Sequence, residues 1–233
     1  MAKIIIVGNQ KGGAGKSTVV SMVANALANA PYQHKVLLVD ADIQQSIIKR
    51  RLGDVRFIEG VTPYEVVYKN IAQFQKDIKQ LDQEYEYIII DPPGKLDVNL
   101  PADQQEVTKF LLYADHLFIP FAPGNYVVES TIDFLKVALQ IKKVRKSKGA
   151  DLEITGFINM FENRTLDDQF LVQEIEELQD MFRMEFMDKK LHRYALFRNV
   201  DTISSFYEEQ SSDRAKRNFS KWFNEFYKIV NDG

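Results

Sequence analysis

Cysteine is absent from all 233 residues. That removes disulfide frameworks, thiolate zinc sites, Cys-ligated iron–sulfur clusters and cysteine nucleophiles, and it fits a reducing cytoplasm. Glycine and proline are sparse, at 11 and 7, and no linker, repeat or low-complexity tract divides the chain. No uncharged apolar stretch approaches the roughly 20 residues that a membrane-spanning helix needs. The longest runs, such as Ile4 to Val7 and Val36 to Val39, are strand-sized. The N-terminal apolar run behind Lys3 ends at Gly8, too short for the core of a secretory signal, so a soluble cytoplasmic protein is expected. A large charge of one sign is lacking too: 30 Lys+Arg against 33 Asp+Glu leave −3, which speaks against neutralising nucleic-acid phosphate over the whole surface. What remains, 45% hydrophobic residues in a chain of this length, suits one α/β domain that can bury a real core.

β-Branched runs recur at Lys3 to Gly8, Lys35 to Asp40, Glu86 to Asp91, Asp115 to Pro120, Glu153 to Asn159 and Arg193 to Phe197. Between them, Lys16 to Asn29, Gln104 to Tyr113, Val127 to Val144, Leu166 to Phe182 and Asp213 to Val230 carry a helical period. The alternation implies an α/β fold with a mostly parallel central sheet and helices on both faces. Several runs are apolar at every position, as strands covered on both sides are. Ligands of such sheets bind beyond the carboxyl ends of the strands, and Gly8, Asp40, Asp91 and Asn159 all sit there.

The first run opens into Gly8-Asn9-Gln10-Lys11-Gly12-Gly13-Ala14-Gly15-Lys16-Ser17-Thr18. Strand, glycine loop, Lys-Ser and helix together make a phosphate site. Glycines let successive N–H groups converge on phosphate oxygens, and the helix directs its positive end at the same anion. Lys16 adds a point charge for the β- and γ-phosphates, and Ser17 offers a hydroxyl to Mg²⁺. Asp40 and Asp42 stand at alternate positions at a strand end. They face one side if the strand persists and divide their tasks if the chain turns into a loop after Asp40. Tyr87 to Asp91 is an apolar strand ending in Asp, stopped by Pro92-Pro93, which puts Asp91 toward the Mg²⁺ region. His116 lies inside an apolar run and reads as a core or strand-edge residue.

The general phosphate-loop pattern has glycine where this chain has Gln10, followed by an additional lysine, Lys11. KGGAGKS resembles the deviant Walker A motif of the ParA/MinD family of ATPases. The resemblance implies a P-loop NTPase that uses ATP and Mg²⁺ and forms a homodimer on ATP binding. Lys11 then crosses the dimer seam to the partner's phosphates; two triphosphates face to face repel, and each needs a cation there. Gly12, Gly13, Ala14, Gly15, Lys16, Ser17 and Thr18 cradle the nucleotide. Ser17, Asp40 and Asp91 serve the metal, and Asp42 positions the attacking water, although Ile43 replaces the proline that usually follows it. Asn159 resembles the family residue beside adenine, where an amide can pair with the base edge. Leu196 to Val200 resembles a Pro-Arg-Asn-Val loop with Phe197 in place of proline, which makes Arg198 a candidate base or seam contact. The resemblance runs from Lys3 to about Val200. With the loop beginning near residue 8, it implies the small type without an N-terminal helix-turn-helix domain, a single ATPase domain over 1–233.

Lys142, Lys143, Arg145, Lys146 and Lys148 place five positive charges within seven residues. In the C-terminal helix, 211–230, Phe219, Trp222, Phe223, Phe226, Ile229 and Val230 form one stripe at 100° per residue, opposite Arg214, Arg217, Lys221 and Lys228. The small net charge therefore hides segregation. Basic C-terminal surfaces of ParA-like proteins bind DNA non-specifically, which implies DNA contacts for Arg214, Arg217 and Lys221 and for Lys142, Lys143 and Arg145. A solvated face is the alternative, since the helix dipole also favours cations at a helix end. Membrane anchoring by the same helix, as in MinD, is less favoured because its apolar stripe is wide enough to be core.

The function expected is an ATPase switch that partitions a plasmid, chromosome or mobile element, with slow hydrolysis stimulated by a ParB-like partner and association with the nucleoid. A related ATPase that positions a protein complex, in conjugation or at a membrane and without DNA, is the alternative. Lys11 speaks against a metabolic P-loop enzyme of the dethiobiotin-synthetase kind, and the missing cysteines exclude the nitrogenase iron-protein branch.

Overall fold

The apolar runs become strands because each has a partner on both sides and a helix over each face. In the computed structural model, which describes residues 1–9, 13–57, 62–93, 106–163 and 165–232 with side chains omitted at 125–130, seven strands form one sheet. They are β1 (Lys3–Val7), β2 (Val36–Asp40), β3 (Glu65–Tyr68), β4 (Tyr87–Asp91), β5 (His116–Phe121), β6 (Glu153–Ile158) and β7 (Glu185–Phe186). Their order is β3-β2-β4-β1-β5-β6-β7, and every pairing among them is parallel. Alternate side chains feed opposite cores: Ile4 and Ile6 enter one cluster, Ile5 and Val7 the other.

On one face lie α1 (Lys16–Ala28), α2 (Ser46–Phe57) and α8 (Arg214–Asp232), which supply Val19, Val23, Ile47, Phe219 and Trp222 to one core. On the other lie α3 (Ile71–Glu84), α4 (Glu106–Leu111), α5 (Asn125–Ser147) and α6 (Leu166–Phe182), with Phe74, Phe110, Phe134 and Leu171. This division follows from right-handed crossovers: the chain leaves β1 toward one end of the sheet and leaves β4 toward the other. The reversal opens a crevice at the carboxyl ends of β1 and β4.

α6 begins and ends as the sequence implies, with Thr165 and Asp168 closing a capping box at its start. The stripe expected on α8 is also realised, with Phe219, Trp222, Phe223 and Phe226 fully buried and Ile229 at the margin. One expected strand is absent. Arg193 to Phe197 follows an isolated bridge between Phe161 and His192 and turns at Tyr194 into the short α7 (Ala195–Arg198). The turn carries Phe197 into a cluster with Phe206 and Phe219 instead of leaving it on an edge. Between 46 and 84 the structure adds α2, β3 and α3. α3 carries a clear signal, with Phe74, Ile78 and Leu81 at helical spacing and an Asn70–Gln73 capping box. α2 has almost none, because only Ile47 and Arg51 of its residues are buried.

Phe226 packs on the sole tryptophan with ring centroids 5.5 Å apart, so Phe226→Ala is expected to cost about 3–5 kcal/mol. Denaturant unfolding followed by Trp222 fluorescence measures it, and an unchanged midpoint refutes the placement of this stripe in the core.

Candidate functional site

The phosphate loop starts where β1 gives out. The Gly8 amide donates to Phe118 O at 3.0 Å, and the buried Asn9 Nδ2 donates to Pro120 O at 2.8 Å and to Thr131 Oγ1 at 2.9 Å. These bonds tie the loop's entry to the strand beside it. Lys11 and Gly12 lie outside the described residues. Gly13 and Gly15 have φ of +87° and +79°, in the left-handed region. A Cβ on Gly15 would also stand 2.6 Å from Asn159 Nδ2 and 2.9 Å from Met160 Cε. Gly15 is the N-cap of α1 and no side chain caps that end, so Gly15, Lys16, Ser17 and Thr18 present first-turn N–H groups to the loop, the arrangement that receives an anion.

Lys16 is buried, and burial draws its ammonium below the usual range against the opposing pull of Asp91 and Asp42. Next to it, Ser17 Oγ donates to Asp91 Oδ2 at 2.6 Å. Asp91 Oδ1 is buried without a hydrogen-bond partner among the described residues. Burial pushes this carboxyl up to about 7; the Ser17 hydroxyl opposes the rise and the nearby Asp40 adds to it. Asp40 is paired with Asp91 in the β2–β4 register. Its oxygens accept from the amides of Asp42, Ile47 and Ile48 at 3.3, 3.0 and 3.2 Å. β2 ends at Asp40, and Asp42 Oδ1 accepts the Gln44 amide at 2.8 Å in the turn that follows. The chain thus takes the second of the two courses open to it: Asp40 points inward and anchors the start of α2, while Asp42 sits half-exposed at the rim.

A magnesium ion fits this donor set. Hard oxygen ligands are needed, Mg²⁺ is usually held by one or two carboxylates together with phosphate and water, and an orphaned carboxylate oxygen beside a serine hydroxyl supplies the protein's share. Among the described residues no group of three or more His, Asp or Glu forms an all-protein metal cage. His116 stands at the start of the interior strand β5, at the end of the sheet away from the phosphate loop, with Nδ1 3.2 Å from Glu153.

Beside the loop a cleft is lined by Gly15, Thr18, Val19 and Met22 of α1, by Asn159 and Met160, and by Leu191 to Tyr194 with Phe197 and Arg198. Asn159 is buried, and its Nδ2 donates to Ala14 O at 2.8 Å, which locks β6 to the phosphate loop and leaves Oδ1 and one amide hydrogen for a base. Arg198 is exposed on the cleft wall. His192, Arg193 and Tyr194 were not among the expected site residues. Their only signal is local, a cationic and aromatic run ahead of α7, and their position is set from afar: the His192 amide donates to Asn218 Oδ1 of α8 at 2.9 Å, and Asn218 Nδ2 to Lys190 O at 2.8 Å. Below the cleft, the buried Arg51 donates to Thr202 Oγ1 at 2.8 Å and to Tyr64 O at 2.7 Å, and Asn25 holds Asp201 O at 2.8 Å. These buried polar groups are satisfied together and hold the loop after α7 in one position.

The basic residues divide. Arg214 and Lys221 are exposed on α8; Arg217 is half-buried and donates to the carbonyls of Ser211 and Ser212. On α5, Lys143 is exposed and Lys142 lies 3.8 Å from Asp151. Arg145 corrects the sequence expectation. It is 8% exposed, donates to Leu111 O at 3.2 Å and lies 3.8 Å from Asp115, so it belongs to the α4–α5 packing and not to an outward basic face. The two patches also sit on opposite faces of the sheet and form no single surface.

The family model for the "CobQ/CobB/MinD/ParA nucleotide binding domain" matches residues 5–201, from β1 through the cleft wall. The chain belongs to this family. It is 26% identical to the chromosome partitioning protein ParA of Myxococcus xanthus over 228 residues, covering 81% of this chain and 74% of that one. It is 27% identical to the sporulation initiation inhibitor protein Soj of Bacillus subtilis over 240 residues, 86% of each. A plasmid partition protein from Borrelia burgdorferi, 19% identical, superposes with a TM-score of 0.65 over 98% of this chain and 99% of that one. At that identity the likeness speaks for the fold. The ParA/MinD ATPase fold expected from KGGAGKS is thus the observed one, with a sheet parallel throughout the described residues.

Because the Asp91 carboxyl is raised, the fold holds a proton that the unfolded chain releases. Its contribution to stability is present below the ordinary carboxylate range and is lost as pH rises through about 7. Asp91→Asn is therefore expected to raise the melting temperature of nucleotide-free protein by several degrees at pH 8, a gain of a few kcal/mol at most, and by almost nothing at pH 4. Melting curves at both values test this; an equal gain at each refutes a buried charge.

Proposed function

We propose that the chain is a Mg²⁺-ATP-dependent switch that dimerises on ATP, holds DNA non-specifically in that state, and serves partition of a plasmid, chromosome or mobile element. The observation that carries the reading is the alignment of a glycine cradle, Lys16 and Ser17 with the orphaned Asp91 oxygen, beside a cleft that can take a purine. Gly13 to Thr18 bind the phosphates. Ser17 and Asp91 would hold the metal, with Asp40 adding charge behind them and fixing α2. Bound there, Mg²⁺ would neutralise charge on the β- and γ-phosphates. Asp42, at the rim and free of the strand, orients water for slow hydrolysis, and Asn159 and Arg198 flank the base. Lys11 reaches the phosphates of the second subunit, by resemblance to the family. Release follows hydrolysis stimulated by a ParB-like protein. The partition role is supported by the likeness to the chromosome partitioning protein of Myxococcus and the plasmid partition protein of Borrelia. Membrane anchoring through α8 is disfavoured because its aromatic stripe is in the core.

Nucleotide binding, ATP-dependent dimerisation and hydrolysis of three variants test the machinery together. Lys16→Ala is expected to lose nucleotide, Lys11→Ala to keep nucleotide but lose the dimer, and Asp42→Ala to keep the dimer and lose hydrolysis. A Lys11→Ala protein that dimerises normally overturns the seam assignment, and native turnover by Asp42→Ala overturns the water-positioning role.

DNA retention with ATP, with ADP and without nucleotide, across a salt series, tests the output. Arg214→Glu with Lys221→Glu is expected to weaken retention and to flatten the slope of log affinity against log salt by roughly 2 per subunit, about one per lost phosphate contact. Lys143→Glu reports on the α5 patch in the same assay. An unchanged slope in both leaves the basic faces merely solvated.

A further inference from the structure

Ten large apolar side chains stand exposed among the described residues, and they are not scattered. Leu52 and Val55 lie about 60° apart on α2, with Phe57 on its other side at the helix end; Leu166, Phe170 and Met181 lie on α6. Helices at the surface of a soluble domain normally turn polar residues outward, and contiguous exposed apolar groups mark interaction sites.

The two faces carry opposite charge. α6 bears Asp167, Asp168, Glu174, Glu176, Glu177 and Asp180 and no lysine or arginine. At 100° per residue Leu166, Phe170, Glu177 and Met181 fall within about 60° of one another, and the buried Leu171, Ile175 and Leu178 are centred about 115° further round. Burial pushes the Glu174 carboxyl up and the neighbouring Glu177 adds to the rise. α2 bears Lys49, Arg50, Arg51 and Arg56 against Asp54. Arg51 is turned into the core and Arg50 holds Val200 O at 3.0 Å. Lys49 and Arg56 remain outward and flank the exposed Leu52.

We propose that copies of this chain associate through the basic, apolar face of α2 on one and the acidic, apolar face of α6 on the next. The occupant of each face is a second copy because the complementary faces are on the same chain. They cannot meet within one molecule. α2 covers β2 and β3 on the α1–α8 side of the sheet, whereas α6 follows β6 toward β7 on the other side, several strand spacings of roughly 4.8 Å away. The contact is therefore head-to-tail, and it propagates unless the rotation between copies closes a ring. The first turn of α6 borders a pocket that Gly13 and Ala14 of the phosphate loop also line, but Phe170, Glu177, Asp180 and Met181 lie farther along that helix, so this association goes beyond the proposed ATP-dependent dimer and does not require it.

Sedimentation velocity of the nucleotide-free protein decides the matter. Its weight-average mass is expected to rise with concentration at low salt and to fall as salt screens the pairing. Glu177→Lys with Asp180→Lys is expected to weaken association at least tenfold, and so is Lys49→Glu with Arg56→Glu. An equimolar mixture of the two variants, and a chain carrying all four changes, should associate again; that recovery separates pairing from misfolding. The parent chain with saturating ADP should associate as it does without nucleotide, which keeps this test apart from that of nucleotide binding. A mass independent of concentration overturns the proposal and leaves these faces to a different protein partner. Association that survives both reversals, or that fails to return in the mixture, overturns the α2–α6 pairing.

Discussion

Two carboxylates buried side by side at neighbouring strand ends, Asp40 and Asp91, are the constraint around which the rest is arranged. An isolated buried charge is expensive, and two of like sign raise each other's cost. The surroundings supply partial relief: backbone amides of the turn and of α2 for Asp40, and the Ser17 hydroxyl with the ammonium of Lys16 for Asp91. The relief is incomplete at Asp91 Oδ1. The close packing of the sheet holds this pair short of its electrostatic optimum, and the proposed Mg²⁺ and phosphates would supply the remaining charge balance.

Relief of Asp40 also positions α2, since the amides it recruits are those at the helix start. From α2 the Arg51 side chain reaches Thr202, while Asn25 and Asn29 of α1 hold the carbonyls between 201 and 204. The phosphate loop, the turn at Asp42 and the segment behind the cleft therefore share two helices. α8 joins them from outside: its buried aromatics anchor it, Asn218 sets the cleft wall at 190–192, and Arg214 and Lys221 face solvent from the same helix. The outward basic face thus lies on the same helix that holds the cleft wall in place.

Net charge is a poor guide to such a surface. A total of −3 conceals a helix whose charges are all negative, two basic helix faces, and an arginine at 145 that belongs to no face. Local sign governs what a surface meets, because screening erases charges farther away than about 10 Å.

By itself the sequence determined the class of fold and the chemistry of the phosphate end. Apolar runs that stop at Gly8, Asp40 and Asp91 are local signals, as is the sequence from Gly13 to Thr18, and local signals survive into the structure because adjacent residues share a strand or turn. The capping box of α6 and the stripe of α8 are legible for the same reason. The tertiary structure alone decided where the chain turns after Asp40, whether Arg145 is inside or outside, and which residues wall the cleft. Each depends on partners far along the chain: Asp91 for Asp40, Leu111 and Asp115 for Arg145, Asn218 for His192. Propensity and periodicity describe a segment's own preferences, whereas burial of a polar group is a property of everything that closes around it.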